Sequence, residues 1–134
     1  MTGASPRILI SDDDRDLRET LGEYFLRRGM DVLYAEDGEQ AIDVVERFPV
    51  HVMLLDFQMP KRDGLEVLEH LRTRVDLPND RRRPACILMS ARLDERLIER
   101  AMAAEAYRVQ SKPFGLRQID SLVGTALRER HGLS

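Results

Sequence analysis

Cysteine is nearly missing from this 134-residue chain. Cys86 is the only one, so no internal disulfide and no thiolate metal cluster can form. Opening an apolar run, it fits a small buried hydrophobe, and a reducing cytoplasm is the compartment expected. Basic excess is also absent: 21 Lys and Arg against 24 Asp and Glu give a formal charge of -3, which argues against direct nucleic-acid binding. Long apolar runs are lacking too. Pro6 and Arg7 precede only three apolar residues, too few for a signal peptide or a membrane span. Eight glycines and six prolines are scattered, leaving no linker or low-complexity stretch. At this length one domain is expected over residues 1–134, with no second domain attached.

What is present is organised around Val52–Pro60, VMLLDFQMP, where an uninterrupted apolar run ends at a carboxylate. Four apolar residues without alternation suit a strand covered on both faces, as in the centre of a parallel sheet. Asp56 then stands at the carboxyl end of that strand. Ligands of open α/β sheets bind in the crevice beyond those ends, so an acid there is placed for chemistry. A strand-end Asp that merely orders the next turn is the plainer alternative.

The rest of the chain repeats the strand-then-helix pattern. Ile8–Ile10 is a short strand followed by Ser11 and by Asp12, Asp13 and Asp14; Leu17, Leu21, Tyr24 and Phe25 recur at helical spacing, and Gly29 suits a left-handed stop. Asp14 reads as an N-cap. Gly22, inside that helix, has no reason visible in the sequence. Val32–Ala35 is a second strand, Asp37-Gly38 leads into a helix with Ala41, Ile42, Val45 and Phe48, and Pro49 stops it. After Met59-Pro60, Asp63-Gly64 opens a helix carrying Leu65, Leu68 and Leu71, with Asp63 as a structural cap. Arg74–Pro84 is irregular; its Arg81, Arg82 and Arg83 read as a solvated loop at the end of the sheet opposite Asp56. Ile87–Met89 is the fourth strand, ending at Ser90-Ala91, and Leu93, Leu97, Ile98, Ala101 and Met102 mark the next helix. Tyr107–Ser111, Lys112-Pro113-Phe114 and a helix along Leu116, Ile119, Leu122, Val123, Ala126 and Leu127 complete five units of an α/β fold.

Asp12 and Asp13, Asp56, Ser90 and Lys112 each follow a strand and open onto one edge. Three clustered carboxylates repel, so they take up protons or a cation neutralises them. An all-oxygen set favours Mg²⁺ (or Mn²⁺), which takes phosphate oxygens as remaining ligands and so predicts a phosphate-bearing partner. Lys112 and Ser90 suit a phosphoryl group, although singly a loop lysine and a helix cap are the simpler readings. Aspartate can attack phosphorus to give an acyl phosphate, and Asp56 is the acid best placed for it. His51, His70 and His131 are not placed to supply the phosphoryl group internally. It must come from another molecule.

In the order ILISDDD, VMLLDFQMPKRDG, CILMSA and QSKPF, the sequence resembles response-regulator receiver domains of two-component signalling, of the chemotaxis-regulator type, over essentially its full length. The resemblance implies a doubly wound, flavodoxin-like, five-stranded parallel sheet in the order 2-1-3-4-5 with helices on both faces. It also implies that Asp56 accepts phosphoryl from a sensor histidine kinase or a histidine phosphotransfer protein. Asp13, Asp56 and the backbone carbonyl of Gln58 would bind Mg²⁺, with Asp12 acting through a water. Ser90, the Ala91 backbone and Lys112 would hold the phosphoryl oxygens, and a cis Lys112-Pro113 bond is allowed by the same resemblance.

Three departures stand out. The family couples the Ser90 position to an aromatic ring three residues before the lysine, where this chain has Val109. Tyr107, two residues earlier, is expected on Val109's face, one pleat further away. Tyr107 and Arg108 also replace acids that many DNA-binding regulators use in dimer pairing, and Ser11 stands at a normally apolar position. The leading expectation is a non-enzymatic phosphoacceptor whose fourth helix, fifth strand and fifth helix change affinity for a protein partner. A phosphorelay shuttle and a receiver excised from a longer regulator are the alternatives. An Asp-nucleophile phosphatase of the haloacid-dehalogenase type would need an acid at Gln58.

Overall fold

The computed structural model describes residues 5–74 and 83–133. Five strands, β1 (Arg7–Ser11), β2 (Asp31–Ala35), β3 (Val52–Asp56), β4 (Ala85–Ser90) and β5 (Arg108–Ser111), alternate with five helices, α1 (Arg15–Arg27), α2 (Gly38–Arg47), α3 (Gly64–Thr73), α4 (Glu95–Ala103) and α5 (Leu116–His131). All neighbouring strands run parallel, in the order β2-β1-β3-β4-β5. The sheet order is the one expected. β3 and β4 are buried at every residue, which is why their sequences show no alternation.

Side chains alternate between two cores. Leu9, Met53, Leu55, Cys86 and Leu88 face α2, α3 and α4, whereas Ile8, Ile10, Leu54, Ile87 and Met89 face α1 and α5. Cys86 is the small buried hydrophobe expected, and burial pushes its thiol up to about 12.

Four helices start on an aspartate. Asp14, Asp37, Asp63 and Asp94 each accept a backbone N–H in the first turn, and Asp63 forms a reciprocal capping box with Glu66. Gly29, at φ 86°, ends the α1 turn as expected. Gly22 acquires a reason: a Cβ there would lie 2.0 Å from the Tyr34 hydroxyl. Gly64 lets α3 approach the sheet, since a Cβ would lie 2.5 Å from the Asp56 carbonyl oxygen. The Pro60 carbonyl accepts from Gly38 and Arg62, tying the β3–α3 loop to α2.

Some expectations need correction. The residues that mark the fourth helix fall on α4 except Leu93, which precedes it, and of them only Leu97 and Ala101 are buried; Leu93, Ile98 and Met102 are exposed. Tyr107 does not share Val109's face. Its ring packs in the α1/α5 core and its hydroxyl donates to Glu129 of α5 at 2.5 Å, while Val109 packs against the opposite core. Regular strand begins only at Arg108, on the sheet edge, so period-two alternation does not reach Tyr107. Arg81 and Arg82 lie outside the described residues, whereas Arg83 donates to the carbonyls of Leu71 and Arg74 at the end of α3.

Candidate functional site

Parallel strands deliver their carboxyl ends to one edge, and the polar residues gather there for that reason alone. Asp12 follows β1 and is fully buried; Asp56 is the last residue of β3 and Ser90 of β4, both buried; Lys112 follows β5. Backbone bonds prolong the ladder past the strand ends: Phe57 N–H to Met89 O at 2.8 Å, and Lys112 N–H to Ser90 O at 2.8 Å. These bonds fix the loops that carry the side chains. The Lys112-Pro113 bond is cis.

Carboxylate oxygens of Asp12, Asp13 and Asp56 lie within 4.8 Å of one another. Lys112 Nζ donates to Asp12 Oδ2 at 2.9 Å and lies 3.1 Å from Asp56 Oδ1. Asp12 Oδ1 accepts the Asp14 N–H at 2.9 Å, and Arg18 donates to the Asp12 carbonyl at 2.7 Å. Burial, then the Asp12 charge, raise the Asp56 carboxyl from 3.8 to about 6; Lys112 opposes them and Asp13 adds to them. Burial works against the Lys112 ammonium, but the hydrogen bond and charge of Asp12, then the charge of Asp56, outweigh it and raise its pKa.

One lysine therefore faces a nest of three acids, and their repulsion is incompletely relieved. An oxygen-only donor set of this kind, part buried and with Asp13 exposed, fits a hard divalent cation.

The arrangement brings together Asp12, Asp13, Asp56 and Lys112. Ser90 is at the same edge, but its hydroxyl is turned elsewhere: it donates to the Arg92 carbonyl at 2.8 Å and accepts from the Arg92 N–H at 3.2 Å. It does not cap α4, a role Asp94 fills. Gln58 and Ala91 line a cleft of about 340 Å³ that opens beside Ser90. The contacts of Arg18 and Arg92 carry no signal in the sequence, because both are made with backbone atoms.

A family model for the response regulator receiver domain matches residues 8–124. The chain belongs to that family. This receiver domain is 34% identical over 127 residues to the transcriptional regulatory protein CpxR of Escherichia coli K12, covering 93% of this chain and 50% of CpxR. It is 32% identical over 118 residues to a probable chemotaxis protein CheY of Rhizobium etli, covering 87% of this chain and 88% of that protein. It thus spans about half the length of the transcriptional regulator and most of the chemotaxis protein. Among solved structures, the signal receiver domain of an HD domain-containing protein from Pseudomonas fluorescens Pf-5 superposes with a TM-score of 0.85 at 22% identity, covering 98% of this chain and 93% of that one. At that identity the likeness concerns the fold. No helix among the described residues is long and apolar enough to cross a membrane.

Proposed function

We propose that this receiver domain is a phosphoacceptor in the cytoplasm: Asp56 takes a phosphoryl group from the phosphohistidine of a sensor kinase or histidine phosphotransfer protein. The observation that carries the reading is the contact of Lys112 with both Asp12 and Asp56 beside Asp13. An Asp56 oxygen forms the new P–O bond as the P–N bond of the donor breaks, and the imidazole departs. Catalysis of such a transfer is mostly alignment and charge compensation.

Asp13, Asp56 and the Gln58 backbone carbonyl would hold Mg²⁺ (or Mn²⁺), with Asp12 reaching it through a water. When bound, the cation offsets negative charge on the acids and on the phosphoryl oxygens. Lys112 is already aimed at an Asp56 oxygen, so it follows the charge onto the phosphoryl group. Ser90 would turn its hydroxyl away from Arg92 to hold a phosphoryl oxygen, and the Ala91 N–H would be a further donor. Asp14, Asp63, Gly64, Pro60 and Pro113 keep structural roles around the pocket.

The domain is not an enzyme acting on other molecules; hydrolysis of its own acyl phosphate resets it. Residues 8–124, the span that matches the receiver family model, act as one receiver unit. Output passes to a protein partner, with no direct nucleic-acid contact. Its surface is formed by α4, β5 and α5, where Ile98 and Met102 are exposed. With Val109 at the switch position and Tyr107 bonded to Glu129, no ring swings there to follow Ser90.

Intact mass after incubation with a small acyl phosphate and Mg²⁺ tests the reading. One added phosphoryl group is expected, labile to hydroxylamine, absent without the metal and absent in Asp56→Asn. An adduct that survives hydroxylamine, or that forms in the variant, overturns it.

A further inference from the structure

The cleft beside Ser90 has an unusual wall. Arg92 from the β4–α4 loop and Arg96 and Arg100 from α4 all line it, together with Phe57, Gln58 and Leu97. All three arginines are exposed, and among the described residues none of their guanidinium groups has a hydrogen bond or an ion pair. By contrast Arg7, Arg15, Arg28 and Arg47 each face a carboxylate. Among the described residues the only acid lining the cleft is Asp94, and its carboxylate is engaged by the Leu97 N–H at 2.8 Å.

Arg96 and Arg100 are one helical turn apart, about 6 Å along the axis, which matches carboxylates spaced four residues apart on a facing helix. Planar guanidinium groups bind carboxylates in a two-pronged fashion, so an unpaired row of them selects for acids over neutral surfaces. Phe57, half-buried, and Leu97, buried, also line the cleft, and offer apolar surface to an apolar residue of the visitor.

The cleft is also tied to the site. The Ser90 hydroxyl holds both the N–H and the carbonyl of Arg92, and so fixes the backbone from which the Arg92 side chain reaches the cleft. If that hydroxyl turns to a phosphoryl oxygen on Asp56, both bonds to Arg92 are lost.

We infer that the flank of α4 facing the β3–α3 loop is a docking surface for an acidic helical segment of a protein partner, held in the resting state and released when Asp56 is phosphorylated. Docking itself does not depend on phosphorylation; only the release rests on the function proposed above. This flank is the opposite side of α4 from exposed Ile98 and Met102, so two partners can bind without overlap.

Fluorescence anisotropy with a labelled synthetic helix tests both halves. The helix carries glutamates at every fourth position and one leucine between them; a second helix of equal charge has its glutamates bunched at one end. The untreated protein is expected to bind the spaced helix at least about fivefold tighter than the bunched one, with a steep loss in salt. R96E/R100E is expected to weaken binding about tenfold while phosphoryl uptake by mass is unchanged. Equal binding of both helices, or no effect of the charge reversal, overturns the docking surface. So does inorganic pyrophosphate binding at the cleft when the spaced helix does not bind.

Ser90→Ala, which frees Arg92, is expected to weaken the spaced helix about threefold without any phosphoryl donor, and acyl phosphate with Mg²⁺ to do the same to the unsubstituted protein. If uptake is confirmed by mass and affinity stays constant, the release is wrong although the function stands. If uptake itself fails, the function is wrong, and the charge reversal still decides the surface.

Discussion

The Lys112 ammonium lies 2.9 Å from Asp12 Oδ2, joining side chains 100 residues apart in the chain. Asp12 is fully buried, so this bond and the Asp14 N–H are what compensate its charge in the interior. The same ammonium lies 3.1 Å from Asp56, and the site's charge balance turns on it.

Lys112→Met should therefore lower stability at neutral pH by about 1–3 kcal/mol, because two buried carboxylates lose their shared cation. The sign follows from the raised pKa: the ammonium's contribution is present below its ordinary pKa and is lost only as pH rises through the folded value. Urea midpoints with and without millimolar Mg²⁺ would measure this, with part of the loss recovered by the metal. An unchanged midpoint in metal-free buffer would contradict the charge argument.

Asp56→Asn should act in the opposite direction. With its carboxyl raised from 3.8 to about 6, the folded protein holds a proton that the unfolded chain has released. Metal-free stability thus declines as pH climbs from about 4 to about 6 and stays low above that range. The variant lacks this decline and should be more stable at neutral pH by about 1–3 kcal/mol, with no difference near pH 3. Thermal melts across that range, repeated with Mg²⁺, should show the cation stabilising the native protein more than the variant.

Two glycines in helices should respond differently to alanine. At Gly64 a Cβ meets the Asp56 backbone oxygen, which cannot yield without moving β3, and also the buried Leu88 Cδ1, so Gly64→Ala should cost about 1–3 kcal/mol and disturb the site. At Gly22 the obstacle is the end of the Tyr34 ring, which is 43% exposed and free to swing outward. Gly22→Ala should stay within about 1 kcal/mol, since better helix propensity offsets the displacement. Equal costs in chemical denaturation would refute the distinction.

Ser11 Oγ is fully buried and has no hydrogen-bond partner among the described residues. Ser11→Ala removes a desolvated hydroxyl and should raise stability by about 1 kcal/mol. A loss on substitution, read from denaturation midpoints, would show that the hydroxyl is satisfied in solution.

Much of the architecture was legible locally. Unbroken apolar runs announced strands buried on both faces, and Asp14 and Asp63 announced helix starts, because strand burial and capping depend on residues within a few positions of one another. The acids, serine and lysine at strand ends were visible for the same reason, since parallel strands all deliver their carboxyl ends to one edge.

Other features depended on the packed chain. Gly22 is explained only by Tyr34, which is brought to it by the next strand. The side taken by Tyr107 was decided by Glu129 on α5 and by the late start of an edge strand, so alternation misled there. The exposure of Ile98 and Met102, the turn of Ser90 toward Arg92, and the row of arginines along one cleft likewise arise from how α4 is set against the sheet. Sequence determined which residues would reach the edge, because topology fixes that; where each side chain points, and what neutralises it, was settled by neighbours far away in the chain.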